Sequence, residues 1–203
     1  SSEVIEEVGK DLIRMEMIER LNERLTITPL GKVSASLYYL PQDIYIWYIN
    51  FKQIENRGGW LDDRAISWAL GSIPSIQMGY VPKNDSSRVK EYTYQLTKGG
   101  IFKGIFDSII ATDLYNLITM EEKKIAAKGF QSDCERIMEA VEKIFHVIGI
   151  SKRQFIKEIS IRIKYGVGRE LVELCQIPGI GGVKSQKLYS VGIKKIDDLL
   201  DNE

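Results

Sequence analysis

The run Pro178-Gly179-Ile180-Gly181-Gly182 limits what this chain can fold into more than any other stretch. Before it, Leu171, Leu174 and Ile177 keep helical spacing; after it comes a short amphipathic segment with Val183, Leu188 and Tyr189. Proline lacks the amide hydrogen that a helix interior needs, so the first helix must stop at Pro178. Gly179 and Gly181 permit positive φ and the close approach of a ligand. Two short helices joined by a glycine hairpin result. Such a hairpin aims free N–H groups, and the start of the next helix, at an anion. Lys184 and Lys187 flank that point. Amides and lysines gathered at one spot read charge and not base sequence, so a phosphate backbone is the natural partner. Glycine turns are only punctuation on their own, and a purely structural αα-hairpin is the competing reading.

The charge distribution points the same way. The 203 residues carry 28 basic and 28 acidic side chains, yet the balance is uneven. Residues 151 to 195 hold ten cations against Glu158, Glu170 and Glu173, a surplus of seven. A basic segment that coincides with the hairpin is the electrostatic footprint of a polyanion site. Arg162, Lys164 and Arg169 are candidates for diffuse attraction within it.

Other chemistries find little support. His146 is the sole histidine, which argues against a zinc cluster or a Ser-His-Asp triad. Gly31-Lys32 suggests a phosphate loop, but the glycine spacing fails and Ser34 comes one place late. No 18-residue apolar run suggests a membrane span. No leader sequence is evident, and Cys134 and Cys175 lie far apart, so a reduced, intracellular (cytoplasmic, nucleoid-associated) protein is expected.

The chain reads as mainly α. Val4, Ile5, Val8 and Leu12 predict a helix over 3–14, followed by a small β-hairpin around Asn22-Glu23. A helix and hairpin in this order form the second half of a winged helix. Thr28 and Pro29 mark the N-cap and first position of the next helix. Residues 41–118 hold aromatic-rich helical segments with Tyr45, Trp47, Tyr48, Phe51, Trp60 and Trp68. Core packing is the favoured reading of these rings, with base stacking as the alternative. A polar loop is expected at 79–88, a break at Gly99-Gly100 and a helix over about 102–118. A short helix follows at 120–128, turning at Gly129. Ser132 with Glu135, and Ser151 with Gln154, have capping-box spacing and predict two further helix starts. In the first of these helices Ile137, Val141, Ile144 and Ile148 form the apolar stripe, with Arg136 and Lys143 on another line.

Three stretches resemble the C-terminal part of archaeal superfamily-2 DNA repair helicases of the HelQ/Hjm type: LTITPLGKVSASLYYLP at 25–41, GFQSDCERIMEAVEKI at 129–144 and RIKYGVGRELVELCQIPGIGGVKSQKLYSVGI at 162–193. Their order and spacing fit essentially the whole chain, and the third is the most specific. The resemblance implies a partial winged helix and exit helix (1–40), a helical ratchet bundle (41–150) and a helix-hairpin-helix domain (151–203). It implies an ATP-driven 3′-to-5′ translocase that unwinds DNA at stalled forks. Its ATP- and magnesium-binding motor domains lie outside this sequence, which has neither a Gly-rich phosphate loop nor an Asp-Glu box, so no cofactor is expected in this chain. In the family a long helix touches the tracked strand through an arginine and, two turns on, a stacking tryptophan. Arg136 stands at the arginine position. Lys143 stands at the tryptophan position, and a lysine can pair with phosphate but cannot stack like an indole. Ser185 stands where such hairpin modules often carry alanine.

The expected partners are therefore single-stranded or forked DNA, the N-terminal motor domains and repair proteins, with no membrane. The expected contacts are Arg136 and Lys143, the backbone at Gly179, Gly181 and Val183, and Lys184 and Lys187. Two alternatives stay open: a protein-interaction scaffold that restrains the motor, and the equivalent cassette of an RNA-directed helicase.

Overall fold

The computed structural model describes residues 2–56, 58, 61–71 and 128–200, without the side chains of residues 64, 68, 71, 128–134 and 200. Trp60, the Trp68 ring, the polar loop at 79–88, Gly99-Gly100, the helix expected at 102–118 and all but the last residue of the helix expected at 120–128 lie outside that set. The fold is mainly α with one two-stranded sheet among the described residues. The chain divides into two compact units, residues 1–112 with 139–151 and residues 113–138 with 152–203.

In the first unit, α1 (Ser2–Arg14) leads into β1 (Ile18–Leu21) and β2 (Arg24–Ile27). The end of α1 is shaped by Glu16, which adopts a left-handed φ of 56°. Its amide donates to the Ile13 carbonyl and the Met17 amide donates to the Leu12 carbonyl, the paired bonds that close a helix C-terminus. The strands pair antiparallel with Ile18 opposite Ile27 and Leu21 opposite Arg24. Asn22 and Glu23 both have positive φ, as a two-residue primed turn requires. Val4, Ile5 and Val8 have helical spacing but stay exposed, and α1 buries no residue.

Thr28 caps α2 (Pro29–Leu37) as its sequence predicts: its Oγ1 accepts from the Gly31 amide at 3.0 Å, and Pro29 opens the helix. The same hydroxyl donates to the Glu16 carbonyl at 2.6 Å, tying the cap to the end of α1. Gly31 allows α2 to seat on the chain entering β1, because a Cβ there would lie 2.1 Å from the Met17 carbonyl oxygen. The helix α3 (Pro41–Asn56) supplies the core through Ile44, Trp47 and Phe51, all fully buried. The Trp47 indole N–H donates to the Leu70 carbonyl of α4 (Asp63–Gly71) at 3.1 Å. Phe51 meets Phe145 edge to face with centroids 4.8 Å apart. These rings are core, which leaves none of their faces for a base.

The long helix α5 (Lys128–Ile148) corrects one expected start. Gly129 and Ser132 lie inside it, so Gly129 is no turn and Ser132 no N-cap. Ile137, Val141 and Ile144 are buried, as their stripe predicts.

In the second unit, α6 (Arg153–Tyr165) also starts without its expected capping box. The N-cap is Lys152 at φ −122°, with no side-chain cap bond, and Gln154 donates instead to Glu158 at 3.4 Å. Gly166 ends α6 in the left-handed region. A 3-10 turn (Arg169–Leu171) runs into α7 (Val172–Cys175), then α8 (Gly182–Ser190) and α9 (Asp197–Leu200). Val167, Leu171, Leu174 and Cys175 form the core, with Tyr165, Ile177, Leu188 and Tyr189 packed around it.

Two outcomes follow from these contacts. Gly31→Ala forces backbone apart at Met17 and should lower the unfolding free energy by about 1–3 kcal/mol or more, read as a lower urea midpoint. Thr28→Ala should cost about 1 kcal/mol in the same measurement.

Candidate nucleic-acid interface

The hairpin between α7 and α8 is built by a turn chemistry visible in its residues. The Ile180 amide donates to the Ile177 carbonyl at 3.0 Å, with Pro178 and Gly179 between them. Gly179 has φ 82°, so Pro-Gly occupies the central positions of a turn that needs positive φ at its second one. Gly181 then serves as an extended N-cap (φ −103°, ψ −170°) with no side chain to fold back on the helix start. Gly182 opens α8, and a Cβ there would lie 2.4 Å from the Tyr165 carbonyl oxygen. Only glycine lets the start of α8 sit directly on the end of α6.

The polar consequence is a row of open donors. Among the described residues no hydrogen bond reaches the amides of Gly181, Gly182, Val183 or Lys184. These are the first turn of a helix, whose N–H groups have no intrahelical acceptor and carry the positive end of the dipole. Val183 is 70% exposed, while Gly181 and Gly182 are half-buried. The Lys184 ammonium donates to the Gly179 carbonyl at 2.8 Å, which holds its charge over the hairpin mouth. Lys187 is exposed one turn further along α8. Behind them, the buried Cys175 thiol donates to the Ser185 hydroxyl at 3.3 Å, which donates to the Gly182 carbonyl at 2.9 Å. The serine, in a place often held by alanine, thus ties the first turn of α8 to α7.

A second group of amides follows α8, but the chain fills it. Asp198 Oδ2 accepts from the Lys194 amide at 2.7 Å and the Lys195 amide at 2.9 Å, and Glu173 accepts from the Ile196 amide at 2.9 Å. The Lys194 and then Lys195 backbone bonds hold the Asp198 carboxyl below its usual range. Of the two turns, the one at 178–182 leaves the amides of Gly181 and Gly182 open among the described residues.

The remaining candidates divide by exposure. Lys164 is exposed with its ammonium 5.4 Å from the Tyr165 ring centroid, and Arg169 is exposed on the 3-10 turn. Arg162 is a correction: at 1% exposure it is among the largest fully buried side chains, engaged within the chain and not a surface charge. Its place on the inner face of α6, beside Ile159 and Ile163, is the reason. Arg136 and Lys143 are both exposed on α5, seven residues apart, and Lys143 pairs with Glu139 at 3.5 Å. Arg153 and Lys157 are not among the contacts expected from the sequence, although their helical spacing could have marked them. With Lys164 they fall within about 40° of arc on α6, spread over about 16 Å of its axis. All three are exposed, forming one basic stripe.

Among the described residues, no group of His, Cys, Asp or Glu could hold a metal ion, and no helix is long and apolar enough to cross a membrane.

No protein-family model matches the chain. Curated relatives do. The ATP-dependent DNA helicase Hel308 of Aeropyrum pernix is 34% identical across 97% of this chain. Those of Methanocaldococcus jannaschii and Thermoplasma acidophilum are 26% and 25% identical across 98% and 86% of it. The chain spans 29%, 17% and 26% of the length of these three relatives, respectively. With similarity running along nearly all of its residues, the chain is related to the C-terminal region of a Hel308/HelQ-type archaeal helicase.

Proposed function

We propose that this chain is the DNA-binding and ratchet portion of an ATP-dependent, 3′-to-5′ DNA helicase that acts in fork repair or recombination, and that it grips single-stranded DNA by backbone contacts. ATP and magnesium belong to motor domains outside this chain. The end of a winged helix (1–40), a ratchet bundle (41–150) and a helix-hairpin-helix domain (151–203) divide the work. The observation that carries the reading is the row of open amides at the start of α8, with the Lys184 ammonium beside it. Amides and lysines there hold phosphates without reading bases. The basic stripe of Arg153, Lys157 and Lys164 adds attraction along the strand, as does Arg169. Arg136 and Lys143 touch the strand from α5, Lys143 through phosphate pairing in place of stacking.

Each phosphate neutralised adds about 0.7 to the salt slope for a single strand. Lys184→Glu with Lys187→Glu should therefore weaken binding and flatten that slope by about 1.4. Anisotropy titrations against single-stranded DNA at several salt concentrations read both numbers; unchanged affinity and slope would remove the hairpin from the site. Charge reversal at Arg153 and Lys157 should produce a comparable loss, whereas Arg162→Met should act on stability and leave the slope unaltered. Competition between single-stranded DNA, duplex DNA and RNA tests the substrate class. Preference for RNA, or no binding at low salt, would overturn the reading.

A further inference from the structure

The first unit contains a pocket that has no part in phosphate binding. It lies where α1, the β-hairpin, α2 and α3 converge, and its volume is about 320 Å³. Ile13, Ile18, Pro29 and Leu30 give it apolar walls. Tyr48 reaches in from α3, and its hydroxyl donates to Glu16 Oε2 at 3.0 Å. Lys52 in turn donates to the Tyr48 hydroxyl at 3.1 Å, so the carboxylate is held in place by a chain of bonds. One oxygen of Glu16 remains for a ligand. Glu19 stands at the same opening beside Arg20, so the lining holds two carboxylates against one guanidinium, with the Lys52 ammonium behind Tyr48 offsetting part of that charge. Among the described residues, neither Glu16 nor Glu19 has an ion-pair partner.

The surroundings extend both properties. Residues 2–27 carry seven acidic side chains against four basic ones. Leu25 and Ile27 of the hairpin are 57% and 43% exposed. Exposed apolar surface rimmed by charge marks an interaction site on a protein. The sign of that charge selects the occupant. Phosphate would be repelled, so nucleic acid is a poor fit. A second copy of the same face would bring like charges together. A basic segment of another protein meets both the walls and the rim.

We propose that this pocket docks a partner protein through one aliphatic or aromatic side chain seated between Ile13, Ile18 and Leu30, with a flanking lysine or arginine paired to Glu16 and Glu19. The hydrophobic anchor supplies affinity, and the carboxylates select for the basic flank. The proposal is independent of the DNA-binding reading, since it uses none of the same residues.

The test uses the full 203-residue chain and three labelled probes. The first is a twelve-residue synthetic peptide with leucines on one helical face and lysines on the other. The second replaces its lysines with glutamates, and the third is a single-stranded oligonucleotide. Amide shifts followed by NMR during titration locate each site. The basic peptide should move the signals of Ile13, Ile18, Thr28 and Leu30, and the acidic peptide and oligonucleotide should leave them in place. Glu16→Gln with Glu19→Lys, both at exposed positions, should weaken the basic peptide about threefold or more, given the modest strength of exposed ion pairs. Equal binding of the acidic peptide, shifts confined to another surface, oligonucleotide binding at the pocket, or an unaltered affinity in the double variant would each overturn the proposal.

Discussion

The contact on which the candidate interface depends is the seating of Gly182 against the Tyr165 carbonyl. It brings the amide end of α8 onto the carboxyl end of α6 with no side chain between them. The left-handed Gly166 ends α6 at that point, and the buried Val167 turns the chain into the core. The hairpin bonds inside 177–180 and the Cys175–Ser185–Gly182 relay then have a fixed base. Direction is what this arrangement supplies. Four amides without an acceptor among the described residues lie beside the Lys184 ammonium. An anion met there needs no rearrangement of the protein, which is the condition under which weak individual donors act together.

The neighbouring turn shows how little separates an open nest from a closed one. Lys194, Lys195 and Ile196 also line up their amides, yet Asp198 and Glu173 lie within reach and take them. Near 178–182 the residues are glycine, proline, isoleucine or valine, with no carboxylate to take the amides, and the Lys184 ammonium bonds the Gly179 carbonyl instead. Composition at a few positions therefore decides whether a glycine-rich turn serves a ligand or its own chain.

Much of this is legible in the amino-acid sequence. The Pro-Gly turn, the Thr28-Pro29 helix start, the hairpin at Asn22-Glu23 and the buried aromatics of α3 each rest on a local rule that the structure obeys. What was not legible has physical causes. Glu16 and Tyr38 take left-handed φ at helix ends where no glycine announces it, because hydrogen bonding to the preceding turn outweighs their local preference. Ser132 and Ser151 have capping-box spacing, but a capping box needs the helix to begin there, and the two helices begin at Lys128 and Arg153. Arg162 belongs to a basic run by count and to the core by angle. Counting charges over 151–195 treats all ten cations alike; the helical period separates Arg162 from Arg153, Lys157 and Lys164.

That separation also bears on how the two units differ. In the second unit Arg153, Lys157 and Lys164 line one face of α6, and Lys184 and Lys187 stand at the hairpin, positions suited to a polyanion. In the first unit the N-terminal helix and hairpin carry the opposite sign around exposed apolar side chains. A formal charge of zero over the whole chain hides both. Coulomb interaction between exposed groups fades beyond about 8–10 Å at ordinary salt, so each surface is governed by its local charge and not by the total. This is the physical ground for assigning nucleic acid to the basic face and a basic protein segment to the acidic one.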